Sequence, residues 1–211
     1  MTEENWTLMM NSIAYYWIEV LQPSGEEMCG NHVAGRKFSG AQYWDLVNEN
    51  KYHTRFLDFK PPQQNKYWDT SDYTQYVKQV FMNEAYMGGA THTAEALCQV
   101  NEEDIQMARD GKKRVILFTN GASNDPTLQG RTDSGWPILA EESERLKNNV
   151  DDVFAYGIGT DVDIDELKLI ASSEHNWFIV NDFDDLQYLI KIFIFQHGGC
   201  ETDKIKTYRK V

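Results

Sequence analysis

The sequence predicts an α/β fold: a doubly wound, mostly parallel sheet flanked by helices on both faces. Three observations predict it. Arg114-Val-Ile-Leu-Phe118 and residues 153–158 are continuous apolar runs, the composition of strands buried on both faces. Helix-period stretches follow these runs, so strand and helix alternate from Gly88-Gly89 onward. The connections carry the polar and glycine residues that break such elements.

In chain order, Trp6, Met9, Met10, Ile13, Trp17, Val20 and Leu21 recur at helical spacing, with Thr2 as the start and Pro23-Ser24-Gly25 as the stop. Trp6 and Trp17 are expected in the core. Residues 31–39 alternate (Val33, Gly35 and Lys37 against His32, Ala34, Arg36 and Phe38) and read as a strand, as do residues 53–59, halted by Pro61-Pro62. Tyr73, Tyr76, Val77, Val80 and Phe81 mark a second helix. A helix is expected over 93–109, a strand over 114–118, a polar loop over 121–135 and a helix over 138–147. A strand over 153–158, a helix over 163–172, a strand over 177–180 and a last helix over 182–196 complete the pattern. One domain, 1–197, followed by a polar tail, 198–211, is the expected organisation.

The chain has 211 residues, 41% hydrophobic and 25% charged, as a globular protein should. Lysine plus arginine is 20 and aspartate plus glutamate is 33, a net charge of −13. That excess repels phosphates, which excludes general nucleic-acid binding and docking on anionic lipid, and favours a cation or a basic partner. No run approaches the ~20 apolar residues of a membrane-spanning helix. The acidic opening MTEENW does not read as a signal peptide. Cys29, Cys98 and Cys200 make neither a disulfide framework nor a Cys-x-x-Cys zinc site.

In an open α/β sheet, ligands bind at the carboxyl ends of the strands. Those ends carry Thr119-Asn120-Gly121 and Gly157-Ile-Gly-Thr-Asp161, and the loop Gly88-Gly-Ala-Thr-His-Thr93 opens a helix toward the same edge. Such hydroxyl, amide and carboxylate oxygens suit magnesium, calcium or manganese.

Here the residues resemble a family. Gly88-Gly-Ala-Thr-His-Thr-Ala-Glu-Ala-Leu97 is similar to the second metal loop of von Willebrand factor A domains and integrin inserted domains. Arg114-Val-Ile-Leu-Phe-Thr-Asn-Gly-Ala-Ser-Asn-Asp125 resembles their strand ending in Thr-Asp-Gly. Val153-Phe-Ala-Tyr-Gly-Ile-Gly159, Asp165-Glu-Leu-Lys-Leu-Ile-Ala-Ser172 and Asn181-Asp-Phe-Asp-Asp-Leu186 resemble their next strand, helix and last helix. The resemblance implies a metal-ion-dependent adhesion site holding Mg2+ or another divalent cation, with Thr91 and Asn120 at ligand positions. It implies a rim made by His92, Thr93, Ser123 and Asp161. Asn120 stands where the family has Asp. The family's Asp-x-Ser-x-Ser has no counterpart, and the resemblance places it, with the first strand, upstream of residue 1.

The function implied is a protein-binding or adhesion module, its cation bridging to an acidic residue of a protein partner in the extracellular matrix or on a cell surface. The alternative is a metal-independent structural or matrix domain with a degenerate site. A third reading, an accessory subunit of a chelatase-type enzyme, requires an ATPase partner. The resemblance also brings the ends of the first and last helices to one face, which makes a Cys29–Cys200 bridge geometrically possible if their Cα atoms come within about 7 Å; such a bridge would go with an extracellular or secreted location. Cys98 is expected as a buried free thiol.

Other signals are weaker. Asp161-Val-Asp-Ile-Asp-Glu166 starts like an EF-hand loop, but Glu166 stands where that loop needs Gly and Ser172 where it needs Glu, so it reads as an acidic helix start. The five histidines are scattered without HExxH, neither Ser39 nor Ser123 lies in GxSxG, and no Walker lysine follows Gly88-Gly89. No catalytic constellation is present, so the chain reads as a non-enzyme. Asn5-Trp6-Thr7 is a glycosylation sequon. Tyr43, Trp44, Tyr52, Tyr67 and Trp68 lie in irregular segments and suit a contact surface.

Overall fold

The computed structural model describes residues 2–18, 33–38, 53–57, 70–86, 88, 91–108, 110–120, 122–123, 138–181, 185–186 and 188. The chain divides into two compact units, one of Met1–Glu3, Arg36–Arg55 and Tyr86–Asp182, the other of Glu4–Gly35, Phe56–Ala85 and Phe183–Val211.

The first unit holds helix α3 (Thr93–Gln99), strand β3 (Arg114–Thr119), helix α4 (Leu139–Asn149), strand β4 (Asp152–Ile158), helix α5 (Ile164–Ile170) and strand β5 (Trp177–Val180). The strands form a parallel sheet in the order β3-β4-β5. The register sets Val115 beside Val153, Thr119 beside Gly157, and Tyr156 beside both Phe118 and Phe178. β4 is buried from Val153 to Ile158, as its unbroken apolar run requires of a central strand. Val153 and Ala155 turn one face toward a core made with Leu97, Leu117, Leu146 and Leu167. On the other face Phe118, Tyr156 and Phe178 stack across all three strands, with ring centroids 5.3 and 4.9 Å apart.

The helices are amphipathic toward that core. α4 buries Leu139, Ser143 and Leu146, at i, i+4 and i+7, and α5 buries Glu166, Leu167 and Ile170. The continuous helix expected over 93–109 is interrupted. α3 passes into a π-helical turn, Val100–Asp104, and ends on an α-turn, Ile105–Met107. The wide turn buries two polar side chains. Asn101 Nδ2 donates to the Glu142 carbonyl (3.2 Å) and carboxylate (3.0 Å). Asp104 receives Arg36 Nε at 2.8 Å and Arg55 Nε.

Strands β1 (Gly35–Phe38) and β2 (His53–Leu57) pair as a separate two-stranded sheet. Val33 and Ala34 precede β1 outside the strand, so it is shorter than the 31–39 expected.

The second unit holds helix α1 (Glu3–Ser12), which continues as a π-helical segment, Ile13–Ile18, and helix α2 (Thr70–Met82). Met9, Met10, Ile13, Ala14 and Ile18 are buried on the first, and Tyr73, Val77 and Phe81 on α2. Trp6, expected in the core, is half-buried instead, and its indole N–H donates to the Glu84 carbonyl at 2.8 Å. The side chain of Trp17, Cys29, Cys200 and most of the 121–135 loop and the 182–196 helix lie outside the described residues. Among the described residues, no helix is long and apolar enough to cross a membrane.

Candidate functional site

The carboxyl ends of β3 and β4 lie side by side, Thr119 paired with Gly157. Two glycines shape the exit from β4. A Cβ on Gly157 would collide with Val162 and lie 2.8 Å from Leu167 Cδ1, so only glycine lets α5 pack this close to the strand. Gly159 has φ +101°, a left-handed conformation that turns the chain, and its N–H donates to the Val180 carbonyl at 2.8 Å. Asp163 then caps α5, its Oδ1 accepting from the Asp165 and Glu166 amides at 3.0 and 3.1 Å.

This start puts Glu166 on the buried side of α5, at 5% exposure. Its Oε1 accepts from Thr93 Oγ1 at 3.2 Å and its Oε2 accepts from the Ser123 amide at 2.6 Å. Ser123 Oγ donates to the Thr91 carbonyl and accepts from the Thr93 amide, both at 3.3 Å. One carboxylate and one hydroxyl thus join three segments: the 91–93 loop, the residues after β3 and the start of α5. Thr93 is fully buried, whereas Thr91 and Ser123 are half-exposed. His92 is half-buried at the N-cap position of α3, where its side chain makes no capping bond.

Of the residues singled out in the sequence, Thr91, Thr93 and Ser123 come together here. Among the described residues, neither Asn120 nor Asp161 joins this network. Asn120 follows β3 directly and is half-buried; Asp161 lies on the exposed loop before α5 and accepts from Thr160 Oγ1 at 3.4 Å. Glu166 was not anticipated. Its signal was present, since it precedes Leu167 by one and Ile170 by four, which is the stripe a helix buries.

The donor set does not by itself fit a divalent cation. Thr91 and Asn120 offer two neutral oxygens, where calcium takes six to eight and magnesium an octahedron. Among the described residues no three His, Cys, Asp or Glu side chains gather to hold a metal.

A search of curated proteins by sequence finds no match. The chain is similar in structure to proximal thread matrix protein 1 from the mussel byssus with a zinc-occupied MIDAS motif, at 22% identity and a TM-score of 0.66, covering 90% of this chain and 40% of that one. It is similar to the pilus adhesin SpaC from Lactobacillus rhamnosus GG in its open conformation (16% identity, TM-score 0.62, 90% and 27% covered). It is also similar to a von Willebrand factor type A protein from Catenulispora acidiphila (16% identity, TM-score 0.59, 90% and 38% covered). The chain therefore spans less than half the length of these relatives. The model of the von Willebrand factor type A domain matches residues 58–192, which include the sheet, α5 and the Thr91–Ser123–Glu166 network. The order of strands and helices, the glycine-shaped exit from β4 and this match agree, and the chain belongs to the von Willebrand factor type A domain family.

Proposed function

We propose that the chain is a non-enzymatic protein-binding module that engages its partner through the rim at the carboxyl ends of β3 and β4. The observation that carries this reading is the clamped set of Thr91, Thr93 and Ser123. Thr91 and Ser123 are half-exposed, Thr93 is buried at the start of α3, and a buried carboxylate ties them together at the edge where open parallel sheets take their ligands. His92, Asn120 and Asp161 extend the rim on either side. The partner is a protein of the extracellular matrix or a cell surface, in keeping with relatives described as a thread matrix protein and a pilus adhesin. The net charge of −13 favours basic segments on that partner.

Two versions differ in the cation. With Mg2+ or another divalent ion at Thr91 and Asn120, oxygens beyond this pair must complete the shell. Without one, the loops bind directly, as in a structural matrix domain. The test is capture of matrix proteins on the immobilised chain, with and without a chelator, against His92→Ala, Ser123→Ala and Asp161→Ala. Capture that falls with these substitutions supports the rim, and capture that survives the chelator supports the metal-independent version. Capture indifferent to all three substitutions overturns the rim reading.

A further inference from the structure

We propose that Glu166 is the positioning residue of the rim: its buried carboxylate, directly at Thr93 and Ser123 and through Ser123 at Thr91, sets where these residues stand. The proposal rests on the rim being the binding edge.

The geometry is specific. A glutamate at the third residue of a helix ordinarily turns back to the helix's own first amides or out to water. Glu166 is at that place relative to the cap Asp163, yet its side chain runs inward, to 5% exposure. Its two oxygens serve different chain segments. Oε2 takes the Ser123 amide at 2.6 Å, a short charge-assisted bond to the loop that leaves β3. Oε1 takes the Thr93 hydroxyl at 3.2 Å, at the first residue of α3. Ser123 then passes the constraint on, since its Oγ bonds the Thr91 carbonyl and the Thr93 amide at 3.3 Å. Thr91 is thus reached from α5 in two steps, Glu166 to Ser123 and Ser123 to Thr91. The anchor itself is rigid, because α5 is capped by Asp163 and pressed onto β4 at Gly157. A carboxylate in this position is a spacer of fixed length between a packed helix and two loops. An aspartate side chain at this position would be one methylene too short to reach both.

The consequence is a local one. Loss of the carboxylate should free the 91–93 and 122–123 segments while leaving the sheet intact. The test is amide hydrogen exchange on the full chain, comparing wild type with Glu166→Gln and Glu166→Asp. Glu166→Gln keeps the shape and removes the charge. Exchange at Ser123 and Thr93 should quicken by about tenfold or more, the scale of losing a charge-assisted bond, with β4 amides changed far less. Glu166→Asp should quicken the same amides and not restore them. Thr93→Val and Ser123→Ala approach the network from the other side and keep the test open if a Glu166 variant fails to fold. Thr93→Val should quicken the 91–93 amides alone, and Ser123→Ala should free Thr91 while leaving the Ser123 amide protected by Glu166. Uniform acceleration across β4 and the rim would mean that Glu166 only stabilises the whole unit, and unchanged exchange at Ser123 would mean that the carboxylate does not hold it. Either result overturns the proposal. Because the readout needs no partner, it fails or succeeds independently of the rim-binding reading, which partner capture by the His92 and Asp161 variants tests.

Discussion

Tyr156 sits between the rings of Phe118 and Phe178 with its side chain fully buried, and among the described residues its hydroxyl has no hydrogen-bond partner. Burial also pushes its pKa up, so the phenol stays neutral. Tyr156→Phe therefore removes a desolvated polar group and keeps the stack. Thermal unfolding should show a stability equal to or above wild type, by up to ~1 kcal/mol; a clear loss would reveal a partner for the hydroxyl. Gly157→Ala should do the opposite and lower stability by ~1–3 kcal/mol, since the new methyl meets Val162 and Leu167. Cys98 is half-buried rather than buried as expected, and free. Burial, then Glu142, Glu102 and Glu95, raise its pKa from 9.0 to about 12. A raised folded pKa favours the protonated native state, so this stabilisation is complete below pH 9.0 and is lost as pH rises toward about 12. Alkylation of the native chain near pH 8 should accordingly be much slower than that of a free thiol, and rapid labelling would contradict the burial. At this scale the proximity of Thr91, Thr93 and Ser123 was legible, because the 88–93 segment and the end of β3 meet at one edge of the sheet; their part in binding is a proposal. Glu166 escaped because acidic residues at a helix start ordinarily face water, and only the buried stripe of α5 separates it from Asp165.

Among the elements, β3, β4 and β5 were readable because continuous apolar runs have few other uses. The π-helical turn at Val100–Asp104 was not, since a polar stretch carries no apolar period that would distinguish it from an α-turn. What holds that turn is long-range. Arg36 and Arg55 converge on Asp104 and Glu103, with Arg36 and Asp104 side chains only 7% and 10% exposed. Desolvation lowers the Arg36 pKa, but its bonds to Asp104 and Glu103 outweigh that and hold it above the usual value, so it stays charged. Asp104→Asn removes the charge of the more buried of the two carboxylates that Arg36 and Arg55 share, and should cost about 3 kcal/mol in urea unfolding. A loss under about 1 kcal/mol would show that the arginines find water instead. Asp163→Ala removes the cap of α5 and should cost about 1 kcal/mol, with faster exchange at the Asp165 and Glu166 amides.

For the molecule as a whole, the strand–helix alternation and four short motifs in order were enough to read the family, and the match over residues 58–192 shows it. The separate β1–β2 and β3-β4-β5 sheets were not legible, because strand adjacency depends on contacts that no local pattern encodes. Whole-chain charge leads to a further expectation. Capture of a basic partner by a chain of net charge −13 should weaken as salt rises from roughly 0.05 to 0.5 M, as screening shortens the reach of exposed charges. Binding at the rim is open to test by hydrogen exchange of the full chain with and without a captured matrix partner. New protection should be confined to residues 91–93, 120–123 and 160–163, with α4 and the far ends of β3 and β4 unchanged. Protection on α4, α1 or α2 with the rim untouched would contradict it.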